Sequence, residues 1–96
     1  MKTPEYKIIA RHIASVVCEF TVETDGFSYL VIYGRHVNGG FCAIPNHGIS
    51  CEMGSPEDTF YNCEKLERAG VSSYAAKSIA AAILELVKQA LSGLPR

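Results

Sequence analysis

The side chains with the most chemistry to offer are four cysteines, Cys18, Cys42, Cys51 and Cys63, and His47, which lies between two of them. A zinc ribbon or finger would place thiolates in closely spaced pairs, so that one turn presents two ligands together. The chain has no such pair. Cys42, His47, Cys51 and Cys63 could still converge below the turn that carries His47 and form a structural metal site. Against this, free cysteine is among the most buried residue types, and core packing accounts for four scattered thiols without any metal. A nucleophile is the other chemistry on offer, with Cys51 as thiolate, His47 as base and Glu52 beside them. Such dyads are normally assembled from distant segments, so closeness in sequence is no motif, and a turn histidine facing water is the plainer reading. The expectation is no catalytic residue, no cofactor and no metal.

Two further chemistries fail on pattern. Gly34, Gly39 and Gly40 do not belong to a glycine-rich phosphate loop running from a strand into a helix. Tyr29, Tyr33, Phe60 and Tyr61 could stack on single-stranded bases, but Glu19 and Glu23 accompany them and lysines are few, so core packing is the better account. A formal net charge of −1 likewise argues against direct nucleic-acid binding, which normally draws on a basic surplus. The charge is uneven: Lys2, Lys7, Arg11 and His12 weight the start of the chain, while Glu52, Glu57, Asp58, Glu64 and Glu67 make the region around the first helix acidic.

Apolar content of 48% with 20% charged residues excludes a disordered chain, and 96 residues suit one domain spanning 1–96. Residues 1–12 carry Pro4, Glu5 and scattered charges where a signal peptide would have an apolar stretch. The apolar run Ile79 to Leu84 is interrupted by Glu85 and Lys88, so no membrane span is expected. The expected location is cytoplasmic, with the cysteines reduced.

The elements that position these residues follow from periodicity. Residues 5–10 read as a short strand or a lead-in arm. From Val16 to Thr24 apolar residues alternate, and Asp25-Gly26 then gives a two-residue hairpin signal. A strand from Phe27 to about Val37 follows, and Asn38-Gly39 signals a second turn into Gly40–Pro45. The first turn places Phe27 opposite Thr24, Tyr29 opposite Val22, Val31 opposite Phe20 and Tyr33 opposite Cys18. The second places Tyr33 opposite Ile44 and Arg35 opposite Cys42. In this register Cys18 and Cys42 flank the middle strand about 10 Å apart, too far for a disulfide. Ile49–Met53 can add a fourth strand. Ser55-Pro56-Glu57-Asp58 reads as a helix start with Ser55 as N-cap, inward positions Phe60, Cys63, Leu66 and Ala69, and Gly70 as left-handed cap. A second helix begins at Ser72 or Ser73. Its stripe is Ala76, Ile79, Ala80, Ile83, Leu84, Val87 and Leu91, with Gly93 and Pro95 as stop signals. The predicted fold is α+β: an antiparallel three- to four-stranded meander followed by two helices packed on one face of the sheet.

Val16, Cys18, Phe20, Val22, Phe27, Tyr29, Val31, Tyr33, Cys42 and Ile44 form the face that the helices should cover. The opposite face is the anomaly. It carries Val17, Leu30, Ile32, Phe41 and Ala43 as an apolar cluster, rimmed by Glu19, Glu23 and His36. A contiguous cluster of this kind marks a contact surface. Three occupants are open at this stage: a protein partner, a second copy of the chain, or the chain's own segment Tyr6–Ile13 folded over it.

The block Ile44-Pro45-Asn46, Gly48, Cys51-Glu52, followed by Asp58, Phe60-Tyr61-Asn62 and Glu64, resembles a family of short proteins from clostridia-like Firmicutes, their conjugative elements and their phages. The resemblance extends more weakly over Tyr29–Phe41 and the C-terminal helix. It implies no enzyme activity, cofactor or site residue. Its mobile-element setting implies accessory cargo, such as an inhibitor of a host defence nuclease of the anti-CRISPR kind, with a CRISPR effector as partner. The function expected is thus a non-enzymatic protein-binding module acting as an inhibitor. The alternatives are a small cysteine-dependent or zinc-bound domain and a purely structural homodimer subunit.

Overall fold

A computed structural model describes residues 5–13, 17–36 and 39–92, with the backbone alone at 10–13, 36 and 90–92. The protein is α+β, with five antiparallel strands followed by two helices. The strands are β1 (Lys7–Ile13), β2 (Val17–Thr24), β3 (Phe27–His36), β4 (Gly39–Ile44) and β5 (Ile49–Met53), lying in the sheet in chain order. A single 3₁₀ turn, Pro45–His47, joins β4 to β5, and the helices are α1 (Thr59–Arg68) and α2 (Ser73–Ser92).

The β2–β3 hairpin has the predicted register, with Tyr29 opposite Val22 and Tyr33 opposite Cys18. Its turn explains why: Asp25 and Gly26 both have positive φ, 56° and 80°, which matches the twist of the flanking strands. The β3–β4 register is displaced by two residues from expectation. Tyr33 pairs with Cys42 and Arg35 with Gly40, in a ladder whose last described pair is His36–Gly39, whereas a turn centred on Asn38-Gly39 would set the pairing two residues further along β4. A shift of two preserves which side each residue faces, so the face assignment survives. The predicted Asn38 turn position, Val16 and the stop signals Gly93 and Pro95 lie outside the described residues.

The sheet is larger than the three or four strands predicted, because residues 7–13 form a full edge strand paired with β2. They do not fold over the open face. The residues just before β1 are tied to α2 on the opposite side. The Glu5 N–H donates to Tyr74 Oη at 2.7 Å, Thr24 Oγ1 donates to the Glu5 carbonyl at 2.8 Å, and the Tyr6 hydroxyl donates to Glu85 Oε1 at 3.3 Å. Thr24 also lies 3.0 Å from Ser78 Oγ, which has the Tyr74 carbonyl as an acceptor at 3.1 Å, so both buried hydroxyls have partners under α2.

Both helices cover the predicted core face except at Phe27, which was placed on it but lies at the hairpin end beside Asp25-Gly26 and is 59% exposed. Cys18, Phe20, Val22, Val31, Tyr33, Cys42 and Ile44 are fully or almost fully buried there, against Leu66 of α1 and Ala75, Ala76, Ile79, Ala80 and Ile83 of α2. Four buried alanines on α2 (75, 76, 80 and 82) remove bulk where it meets both the sheet and α1, and so permit close approach. Ser72 is the N-cap of α2, its Oγ accepting the Ala75 N–H at 3.2 Å. Gly70, at φ 113°, ends α1 as predicted. The Gly70 N–H reaches the Glu67 carbonyl at 3.1 Å, and the Val71 N–H reaches that of Leu66 at 3.0 Å, a paired C-terminal cap.

The start of α1 differs from expectation. Ser55-Pro56-Glu57-Asp58 is a turn, closed by the Asp58 N–H on the Ser55 carbonyl at 3.0 Å, and the helix begins at Thr59. Ser55 is not its N-cap; its hydroxyl donates instead to Asp58 Oδ2 at 3.2 Å. The competing partner is Asn62, fully buried, whose Oδ1 accepts the Gly54 N–H at 2.7 Å and whose Nδ2 donates to the Ser55 carbonyl at 2.9 Å. With the loop held this way, Asn62, Cys63 and Leu66 face inward. Phe60, expected inside, is 86% exposed.

Candidate protein-contact face

The cysteines are positioned for packing. Cys18 and Cys42 each pair with Tyr33 from opposite sides, and both are buried. Cys51 lies directly opposite Cys42 across the β4–β5 ladder, and Cys63 on α1 directs its thiol toward Glu67 Oε2 at 3.4 Å. His47 is turned away from them toward β3. Its Nε2–H donates to the Ser28 carbonyl at 2.8 Å, and its ring stacks on Tyr29 at 4.3 Å with the planes 20° apart. Among the described residues no group of three or more His, Cys, Asp or Glu side chains is arranged to hold a metal ion. Burial pushes the Cys42, Cys51 and Cys63 thiols up, that of Cys63 to about 11 with help from the Glu67 carboxylate. These are poor conditions for a thiolate nucleophile. The hydrogen bond and the stacking contact described for the His47 ring are thus with Ser28 and Tyr29.

The apolar cluster is brought together as predicted. In the cross-strand register Glu19 and Ala43 flank Ile32, Thr21 faces Leu30, and both Val17 and Phe41 face Gly34. All of these residues lie on the side of the sheet away from the helices. Val17 is 39% exposed and Phe41 44%, while Leu30, Ile32 and Ala43 are half-buried by their neighbours in the sheet. Gly34 has a specific reason to be glycine here. A Cβ at that position would stand 2.7 Å from Phe41 Cζ, so the missing side chain lets the Phe41 ring pack over the backbone of β3.

The rim is acidic where side chains are described. Glu19 and Glu23 come from β2, and Glu52, directly opposite Phe41, extends the rim onto β5. Lys7 lies opposite Glu23. For His36 only the backbone pairing with Gly39 is described. Ile9, 42% exposed and opposite Thr21, extends the apolar surface onto β1. Neither Ile9 nor Glu52 was assigned to this face from sequence, because β1 was not assigned as a full strand and β5 had no register.

Asn46 keeps this side of the sheet intact where β4 leaves it. Beyond Ile44 the chain turns toward β5, and β3 would present unpaired groups at Ser28 and Leu30. The Asn46 side chain replaces the missing strand, Oδ1 accepting the Leu30 N–H and Nδ2 donating to the Ser28 carbonyl, each at 2.9 Å. A single amide thus supplies the donor and acceptor of a backbone unit. The sequence around Asn46 signals only a turn.

On the helical side a shallow cleft of about 780 Å³ runs along α2, with Phe60, Cys63, Ala81 and Leu84 on its walls and Tyr6 at one end. Helical periodicity hides this cleft, because it places Phe60 in the core. Among the described residues no helix is long and apolar enough to cross a membrane.

Comparison with known proteins adds one match. Residues 3–91 fit the model of a family of unknown function, DUF6618. Neither a curated protein nor a solved structure matches the chain significantly.

Proposed function

We propose that the chain, which belongs to the DUF6618 family, works as a non-enzymatic protein-binding module whose contact surface is the helix-free face of the sheet. The observation that carries this reading is the position of Val17, Leu30, Ile32, Phe41 and Ala43 on three adjacent strands, opposite the face that the helices cover. A sheet face with no such role would alternate polar residues outward. This one keeps apolar side chains at its centre and carboxylates (Glu19, Glu23 and Glu52) at its edge, the arrangement of a buried patch with a polar rim. The partner that fits is a protein offering an apolar ridge flanked by basic groups. On the resemblance to mobile-element proteins, a host defence nuclease such as a CRISPR effector is the partner to test first, its nucleic-acid-binding surface being basic.

The experiment compares capture of such nucleases by the wild-type protein, by Ile32→Lys and by Phe60→Asp. Lysine at position 32 stands opposite Glu19, so it charges the face without placing like charges in register. Capture lost by Ile32→Lys and kept by Phe60→Asp supports the proposal. Capture kept by Ile32→Lys and lost by Phe60→Asp moves the contact to the helical cleft. Light scattering on the same samples shows whether a second copy of the chain is the occupant.

A further inference from the structure

We propose that Cys42 and Cys51 form a cross-strand dithiol, a modification site that a two-electron oxidant of the peroxide class converts to a disulfide. The two are register partners in the β4–β5 hairpin, both on the core side of the sheet. Directly opposed residues of antiparallel strands lie about 4.5–5.5 Å apart at Cα. That separation falls inside the roughly 4.4–6.8 Å that a disulfide spans, so closure needs side-chain rotation and little backbone movement. The Cys18–Cys42 alternative is blocked, because β3 runs between their strands and Tyr33 pairs with both. Access is one-sided. Cys42 has no exposed surface, whereas Cys51 is half-buried, and the Lys65 ammonium offsets part of the burial that raises its thiol.

The order of events follows from that asymmetry. The Cys51 thiolate attacks one peroxide oxygen, the O–O bond breaks, and the departing hydroxide takes up a proton, leaving Cys51 as sulfenic acid. The Cys42 sulfur then attacks the Cys51 sulfur and displaces hydroxide, which leaves as water with the Cys42 proton. Two thiols and one peroxide become one disulfide and two waters, so two electrons pass from sulfur to oxygen. The bond closes a short loop around Pro45–Gly48 and ties edge strand β5, which carries Glu52, to β4.

The test is treatment of the folded, reduced protein with hydrogen peroxide, read by intact mass and by thiol titration in denaturant. The expected result is loss of the mass of two hydrogen atoms and a fall from four titratable thiols to two, both reversed by dithiothreitol. Cys18→Ser and Cys63→Ser should show the same mass loss. Cys51→Ser should not, and neither should Cys42→Ala, the variant that keeps the buried position apolar. An unchanged thiol count, stable addition of oxygen in place of hydrogen loss, a linked dimer on a non-reducing gel, or closure that persists in Cys51→Ser would each overturn the proposal.

Discussion

Replacing Asn62 with alanine removes the buried side chain that bonds both Gly54 and Ser55 in the turn before α1. Two hydrogen bonds are lost, from the Gly54 N–H to Oδ1 at 2.7 Å and from Nδ2 to the Ser55 carbonyl at 2.9 Å. The backbone groups left behind lie in a half-buried loop next to Pro56, which is itself buried. An unsatisfied group in such a place costs about 1–1.5 kcal/mol, partial rehydration keeping it at the low end of the range, so the pair predicts a loss of about 2–3 kcal/mol. For a domain of this size that corresponds to a fall in Tm of about 10–20 °C. Urea unfolding followed by circular dichroism measures it, with an unchanged denaturant slope showing that the unfolded state is not the cause. Asn62→Asp should fall between, since it keeps the acceptor for the Gly54 N–H but sets a charged oxygen against the Ser55 carbonyl. Ser55→Ala should cost less than about 0.5 kcal/mol, because the exposed Ser55 hydroxyl only meets Asp58 at the surface. If Ser55 were instead the N-cap, its loss would cost about 1 kcal/mol. Stability lost at Ser55 and kept at Asn62 would refute the reasoning.

Two further outcomes follow from the same structure. Ser72→Ala should destabilise by about 1 kcal/mol in the same unfolding assay, because Ser72 Oγ caps α2, the helix that covers most of the core. Burial, aided by Glu67, raises the Cys63 thiol from its ordinary 9.0 to about 11. Below the lower value the thiol keeps its proton in folded and unfolded chains alike. Between the two only the unfolded chain releases it, so stability should fall as pH rises through that window, and urea midpoints in Cys63→Ala should fall less steeply.

The parts of the fold that were legible in the sequence are those fixed by local chemistry. Asp25-Gly26 admits one tight turn, so the β2–β3 register followed residue by residue. Gly70 and Ser72 ended one helix and began the next because their roles depend on a single backbone conformation or a single side-chain bond. The failures have tertiary causes. Ser55-Pro56-Glu57-Asp58 has the composition of a helix start, but Asn62, four residues beyond Asp58, binds that segment as a turn, and the inward positions change with it. β1 was obscure because Ile8 and Ile9 are adjacent, and a bulge between Ala10 and His12 breaks the alternation that marks a strand. The open face was legible in its centre, since a shift of two in β4 leaves Phe41 and Ala43 on the same side. Its edges on β1 and β5 depended on pairings that no local signal specified.

The most direct measurement is the affinity of wild-type and Ile32→Lys protein for the same captured partner, by titration calorimetry, with the unfolding free energy of each measured alongside. The exposed remainder of a half-buried isoleucine contributes only about 1 kcal/mol on desolvation, but a lysine ammonium forced into the same apolar contact costs more than that, so the replacement should weaken Kd by at least about tenfold. Because the face is open in the free protein, unfolding should change by no more than about 1 kcal/mol. Weakened binding by a variant that remains as stable as wild type is the result predicted. Unchanged affinity with unchanged stability would contradict the assignment of the contact surface to this face of the sheet.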